Sequence, residues 1–192
     1  MTILRECGCY ADFTFPSLNS SQPVMINQIY YAIDDPNKAK SYNRGIPAKV
    51  GQKSPEDSLM IIQGILGLRY DKKKKYKIAI DYSDLDYNDP PTPLRVDYWV
   101  KNSIGIIGRP NWRLIKLHTH GGREIRFDSN FGESADIAFQ HLEQHYNDGK
   151  KYVLHYVTAR EMYNIVKAAE GFLSWDGNNT RDFLIKPYLY RM

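Results

Sequence analysis

From Pro93 onward the hydrophobic pattern switches back and forth between two periods, and this switching limits the fold more than any other feature. Val96, Trp99 and Val100 recur at three- and four-residue spacing behind Pro93, whose missing N–H suits a first helical turn. Arg113-Leu-Ile-Lys-Leu-His-Thr-His-Gly-Gly122 then reads as a buried strand delivering its last side chains into a glycine loop. Residues 134–146 return to helical spacing, with Ala135, Ala138 and Leu142 in one stripe and Ile137 and Phe139 widening it. Residues 151–157 read as a strand. Thr158-Ala-Arg-Glu161 is a capping box opening another helix, because the hydroxyl and the carboxylate each satisfy a free backbone donor. A strand around 183–185 closes the series. Helix, strand, helix, strand, helix predicts an α/β fold, a mostly parallel sheet or barrel with right-handed crossovers.

The first half is richer in strands and loops. Residues 9–15 form an aromatic and β-branched strand before Pro16. Asp12 lies inside it and needs a partner, which hydrogen-bonded structure supplies more often than function. Ser17-Leu-Asn-Ser-Ser-Gln-Pro23 is loop by composition, and residues 28–33 are a second strand. Asp34-Asp35-Pro36-Asn37 reads as a turn rather than an acidic metal pair. Residues 54–64 carry helix-start signals at Ser54 and Pro55, yet Met60-Ile-Ile between them and Gly64 favours a strand over 59–63. Residues 76–82 alternate as an extended piece, and Asp89-Pro-Pro91 is rigid loop. No internal repeat or low-complexity linker divides the chain, so residues 1–192 read as one domain.

Composition narrows the function classes. With 25% charged and 42% apolar residues over 192 positions, the chain suits a globular fold. No apolar run approaches the roughly 18 residues that span a bilayer, and Arg5 and Glu6 interrupt any leader pattern, so no membrane partner is predicted. Much of the net charge of +4 lies in one run, Lys72 to Lys75, read as a solvated turn. Without a wider basic face, nucleic acid is not expected as a partner. Cys7 and Cys9 are the two cysteines, and no second pair completes a zinc site, which points to reduced thiols in a cytoplasmic protein. The 15 tyrosines suit a half-wet core edge or a carbohydrate-facing surface.

His118 and His120 carry the sharpest chemistry. On an ideal strand they share a face roughly 6 to 7 Å apart, where two imidazoles can share a metal or act as acid and ligand. A pair at a strand end before two glycines favours function over a core role, because reactive groups in α/β folds sit at carboxyl ends of strands. His141 and His145 share a helical face but lack a glutamate directly after the first histidine, so a surface helix is preferred. His155 is a weaker candidate near a strand end. Trp99, beside Asp97, suits either the core or the wall of a sugar site. Glycine-rich phosphate loops, Gly-x-Ser-x-Gly elbows and kinase signatures are absent from the sequence.

Several stretches together carry a resemblance: Cys7-Gly-Cys-Tyr-Ala-Asp-Phe-Thr-Phe-Pro-Ser17, Ile29-Tyr-Tyr-Ala-Ile-Asp-Asp-Pro36, Leu59-Met-Ile-Ile-Gln-Gly64, Gly108-Arg-Pro-Asn-Trp112, Lys116-Leu-His-Thr-His-Gly121 and His155-Tyr-Val-Thr-Ala-Arg-Glu-Met-Tyr163. Over nearly the whole chain they resemble bacterial proteins of the polysaccharide deacetylase superfamily, in the group found among surface-polysaccharide genes. The resemblance implies a distorted (β/α) barrel that removes acetyl groups from N-acetylated sugars, using a divalent metal, zinc, held by one Asp and two His. It implies His118, in Leu114-Ile-Lys-Leu-His118, as the general acid that protonates the leaving amine. It implies Asp97 as a catalytic carboxylate and Trp99 as a wall of the sugar groove, with His120 on the substrate side. The superfamily's Asp-Asp strand end and His-x-x-x-His pair have no counterpart here, since Asp34-Asp35 follows the wrong element. The chain is therefore expected to match the later half to two-thirds of such a protein, as an incomplete or distorted barrel. A carbohydrate is the expected partner, with no metal held by this chain and no turnover by it alone. Two alternatives stand beside this. Leu-His-Thr-His also resembles the first metal motif of histidinol-phosphatase-like phosphoesterases, and a non-catalytic barrel could bind glycan through its Tyr and Trp residues.

Overall fold

In the computed structural model, which describes residues 1–15 and 22–188, the elements follow in this order. They are α1 (Thr2–Glu6), β1 (Ala11–Asp12), β2 (Ile29–Ile33), β3 (Gly45–Pro47), β4 (Ser58–Ile62), β5 (Gly67–Tyr70), β6 (Ile78–Asp81), α2 (Pro93–Lys101), β7 (Ile104–Ile106), β8 (Arg109–Leu114), α3 (Phe127–Phe131), α4 (Glu133–His145), α5 (Ala159–Glu170) and α6 (Gly177–Arg181). Residues 17–21 of the loop expected at 17–23 lie outside the described residues.

The two most apolar runs sit at the centre of a four-stranded sheet of order β1-β4-β2-β3. Both faces of β2 and β4 are buried, which explains why Ile-Tyr-Tyr-Ala-Ile and Leu-Met-Ile-Ile run without polar alternation. Ile29, Tyr31, Met60 and Ile62 enter the main core with Val96, Trp99, Ile104 and Val166. Tyr30, Ala32, Leu59 and Ile61 form a second cluster on the opposite face. Each such aliphatic side chain contributes about 1.5–3 kcal/mol by leaving water.

Helix α5 covers the main core and begins with the expected capping box, Thr158 and Glu161 each bonding the other's backbone. Its buried Asn164 donates to the carbonyls of Arg181 and Ile185 and accepts the N–H groups of Leu184 and Ile185. The C-terminal segment is thereby tied to the helix by one amide, and residues 183–185 form no strand. Helix α2 starts at Pro93 behind Thr92, whose hydroxyl accepts from the N–H of Arg95.

The expected (β/α) barrel with mostly parallel strands is not formed. Among the described residues β1 and β4 are the one pair of strands joined in parallel; β2 with β3, β2 with β4, β5 with β6 and β7 with β8 are all antiparallel, and no sheet closes. Two local features account for the difference. Gly108, at φ +89°, turns the chain straight back, so β8 returns beside β7 as a hairpin instead of crossing over. Residues 151–157 do not form a strand, and at the start of the segment the backbone donors of Lys151, Tyr152 and Leu154 are taken locally. Asp148 Oδ1 accepts from the N–H groups of Lys150, Lys151 and Tyr152, and Asn147 Oδ1 accepts from Leu154.

A buried carboxylate joins the hairpin β5–β6 to helix α2. Asp81, fully buried, accepts from Arg69 Nε at 3.0 Å, Arg95 Nε at 2.8 Å, Trp99 Nε1 at 3.0 Å and the backbone of Ser83 at 3.0 Å. Both guanidiniums also reach Asp89, and Arg95 donates to the carbonyl of Asp84 at 2.8 Å. Desolvation works to raise the pKa of Asp81, but Arg95 and the other donors outweigh it and hold it below the usual carboxylate range. Replacing Asp81 by Ala strands two arginines in the interior. Urea denaturation of Asp81→Ala is expected to show a loss of about 3–5 kcal/mol, and a loss below roughly 1 kcal/mol would mean that solvent reaches the pair.

Candidate functional site

Beyond β8 the chain runs extended to His118 and meets the exit of β6. The backbone N–H of His118 donates to the carbonyl of Ser83 at 3.0 Å, and that of Leu85 donates to the carbonyl of His118 at 2.9 Å. The pairing partner of His118 is Asp84. Ser83 is fixed by a two-way bond, its hydroxyl accepting from the N–H of Ile65 at 2.8 Å and donating to that residue's carbonyl at 3.0 Å. Gly64 lets these segments meet, since a Cβ there would stand 2.9 Å from the carbonyl oxygen of Lys116 and 3.1 Å from the Ser83 Cβ. Arg126 closes the arrangement by donating to Asp84 at 3.0 Å and pairing with Asp86.

Four titratable side chains gather around this junction. The Lys116 ammonium donates to the Phe15 carbonyl at 3.3 Å. Burial pushes its pKa down to about 8, against the pull of the Asp12 carboxylate. Asp12, at the end of β1, uses Oδ1 to accept the N–H and hydroxyl of Thr14 at 2.7 and 2.6 Å. His118 is half-buried, with the Tyr82 ring 5.9 Å away between centroids. Burial, and then the Lys116 charge, push its imidazole down to about 4, against the pull of Asp84. It is therefore neutral at pH 7, and among the described residues its buried Nδ1 has no hydrogen-bond partner. A groove of about 600 Å³ opens one residue further on, along Thr119, Gly121 and Gly122, with Leu85, Phe127 and Phe131 opposite.

The other expected residues are placed differently. His120 is exposed in the loop, and its charge adds to the fall of the His118 pKa. Asp97 belongs to another cluster, between α2 and α4: its Oδ1 lies 2.7 Å from His141 Nε2 and accepts the Tyr146 hydroxyl at 2.8 Å. Desolvation works to raise its pKa, and those two partners outweigh it. His145 stacks on His141 at 4.1 Å between centroids. These histidines thus brace two helices, which their i, i+4 spacing did not indicate. Trp99 is 2% exposed, with its Nε1 on Asp81 and the Arg95 guanidinium 5.0 Å from its ring, so it offers no face to a sugar. The sequence pointed least to Lys116 and Tyr82, whereas Asp12 stood out as a carboxylate inside an apolar strand. The signal for Lys116 was a lysine inside an otherwise apolar run. A further surface cluster joins His155, stacked 4.2 Å from Trp175, to Trp112, which also lies under Arg109.

The divalent metal implied by resemblance finds no fitting donor set here. Among the described residues no three His, Cys, Asp or Glu side chains are grouped to hold an ion. Near His118, Asp84 is committed to Arg126, and the Lys116 ammonium adds positive charge. No chemical step is assigned to a metal at this junction.

Two outcomes test the placement. The fold holds His118 below the ordinary value of 6.5, so between about pH 6.5 and pH 4 the unfolded chain binds more protons than the native one. Stability from this residue is complete above that window and is lost as pH falls through it. Denaturation of wild type and His118→Gln is expected to show the wild type losing on the order of 1 kcal/mol more across it, after allowance for screening on the open side. Parallel curves would put the ring in solvent. Trp99→Phe removes one buried donor from Asp81 and is expected to cost about 1–2 kcal/mol in urea denaturation without altering any sugar affinity. The chain matches no family model, no curated protein and no solved structure among those with which it was compared.

Proposed function

We propose that this chain is a deacetylase-like carbohydrate protein of surface-polysaccharide metabolism, in which His118 handles the proton and its neighbours hold an N-acetylated sugar. The observation that carries this is the neutral, half-buried imidazole of His118, with an orphaned ring nitrogen, beside an amine and a phenol ring. Sugars combine hydroxyl donors and acceptors with apolar C–H faces. Lys116, Asp12 and Tyr82 supply a cation, an acceptor and a ring of the matching kind. The resemblance of Leu114-Ile-Lys-Leu-His118 and the five further stretches to the polysaccharide deacetylases supports the same substrate class.

The protonation state changes the role expected of His118. Breaking an amide C–N bond requires a proton on the departing nitrogen. A histidine that starts neutral must first take that proton, as water adds to the acetyl carbonyl carbon, and then return it to the amine as the bond breaks. His118 is thus base first and acid second. The Lys116 ammonium favours the negative charge that gathers on the carbonyl oxygen in between. Among the described residues the ligand set for the superfamily's metal is not grouped at this junction, so these proton steps belong to a complete protein of this type, and this chain by itself is read as a sugar-binding one. Free, exposed thiols at Cys7 and Cys9 support a reducing, cytoplasmic setting.

Titration with an N-acetylglucosamine tetramer, followed through the imidazole resonances of His118, tests this. The expected outcome is a saturable shift in the millimolar range, lost in Lys116→Met, which keeps the His118 probe, and weaker with the fully deacetylated oligomer. No shift up to about 10 mM would remove the carbohydrate reading. A stronger response to a phosphate monoester would replace it with a phosphoesterase-like one.

A further inference from the structure

We propose that the outer face of the β5–β6 hairpin docks on an anionic membrane surface. The hairpin is inside out. Along both strands the charged residues point inward and the apolar ones outward: Arg69 and Asp81 are buried, whereas Leu68, Tyr70, Ile78 and Ile80 are 48% to 67% exposed. The outward residues form two cross-strand pairs, Leu68 with Ile80 and Tyr70 with Ile78, so they make one continuous strip. Isolated exposed apolar residues are ordinary, but a paired strip opposite a buried ionic face is not. Strict two-residue alternation makes the inversion unavoidable: once Arg69 and Asp81 turn inward to meet Arg95 and Trp99, their neighbours must face out.

What lies at the end of this strip selects its occupant. The turn between the strands is closed by the N–H of Asp71 on the carbonyl of Lys77 at 2.9 Å, and it presents Lys72, Lys73, Lys74, Lys75 and Lys77, all exposed. Asp71 is the one acid in that segment. Tyr76, 77% exposed, extends the apolar strip into the turn, with the Lys75 Nζ 5.5 Å from its ring centroid. Aliphatic side chains, tyrosines at the margin and clustered lysines beyond them match the layering of an anionic bilayer, where phosphates lie directly above hydrocarbon. Nucleic acid would satisfy the lysines but would leave Leu68, Ile78 and Ile80 unused. A second copy of the chain would satisfy the strip but bring a second lysine turn with no acidic counterpart. The strands are four residues long, or roughly 13 Å, so the hairpin lies in the interface and does not cross the core of about 30 Å. Each lysine near such a surface contributes about 1 kcal/mol, enough together with the apolar strip for reversible attachment. This proposal does not depend on the carbohydrate reading.

Sedimentation of the full chain with sucrose-loaded vesicles tests it. Vesicles of phosphatidylcholine with about 30% phosphatidylglycerol are expected to carry the protein down at least tenfold more strongly than phosphatidylcholine alone, with the difference shrinking as salt rises. Two variants probe the two halves of the face separately: Leu68→Ser with Ile80→Ser, and Lys72, Lys73, Lys74 and Lys75 each changed to Gln. Each is expected to lose at least tenfold in anionic-vesicle binding while keeping the wild-type circular dichroism, because every substituted side chain is exposed. No binding to anionic vesicles, or binding untouched by both variants, overturns the proposal. So does a dimer in light scattering that the serine variant abolishes, which assigns the face to a second copy. Binding to duplex DNA that only the glutamine variant loses overturns it in favour of nucleic acid.

Discussion

Everything around the second half of the chain is arranged about one buried charge, the Asp81 carboxylate. A buried carboxylate is tolerated only when its oxygens are filled with donors, and here Arg69, Arg95, Trp99 and the Ser83 backbone fill them. Those donors come from a hairpin strand, a helix and the segment leaving β6. None can be placed without the others, so hairpin, helix α2 and the Asp84–Asp89 loop must form together. The penalty for a missing partner is larger than the gain from a present one, which makes the cluster a strong enforcer of arrangement and a weak source of net stability.

That enforcement has two consequences at a distance. It turns the apolar side of β5–β6 to the outside, so an ionic interior and an apolar exterior are the two sides of one alternation. It also fixes the chain at Ser83 and Asp84, to which the His118 segment is bonded, with Arg126 holding Asp84 from the other side. The position of His118 is therefore set by charges several residues away from it, not by a sheet of its own.

The parts of this fold that could be read from sequence were those decided locally. The strands at Ile29–Ile33 and Ser58–Ile62 and the helices opening at Pro93 and Thr158 follow from apolar runs, a first-turn proline and a capping box that need no distant partner. Strand pairing was not local, and there the expectation failed. A glycine at 108 that reverses the chain, and Asp148 and Asn147 side chains that occupy the backbone donors of 150–152 and 154, outweigh an apolar alternation that otherwise suits a strand. The site was half legible. His118 stood out by its motif, but Lys116 reads in sequence as a polar interruption. Its importance depends on Phe15 and Asp12, about a hundred positions earlier, which spacing cannot reveal. Trp99 and Asp97 both lie in helix α2, yet one serves the Asp81 cluster and the other the contact with α4.

The company His118 keeps also limits the chemistry it can perform. Burial first, and then the positive charge of Lys116, disfavour protonating it. Such an imidazole holds a proton only while negative charge is present next to it. In amide hydrolysis that charge exists after water has added to the carbonyl and before the nitrogen departs, which is the interval in which a proton must be carried. A histidine of ordinary pKa would be partly protonated before substrate arrived and would lose its capacity to accept. Under the carbohydrate reading, the Lys116–His118 pair therefore confines the proton to the tetrahedral stage, and the burial that depresses both groups serves timing as much as placement.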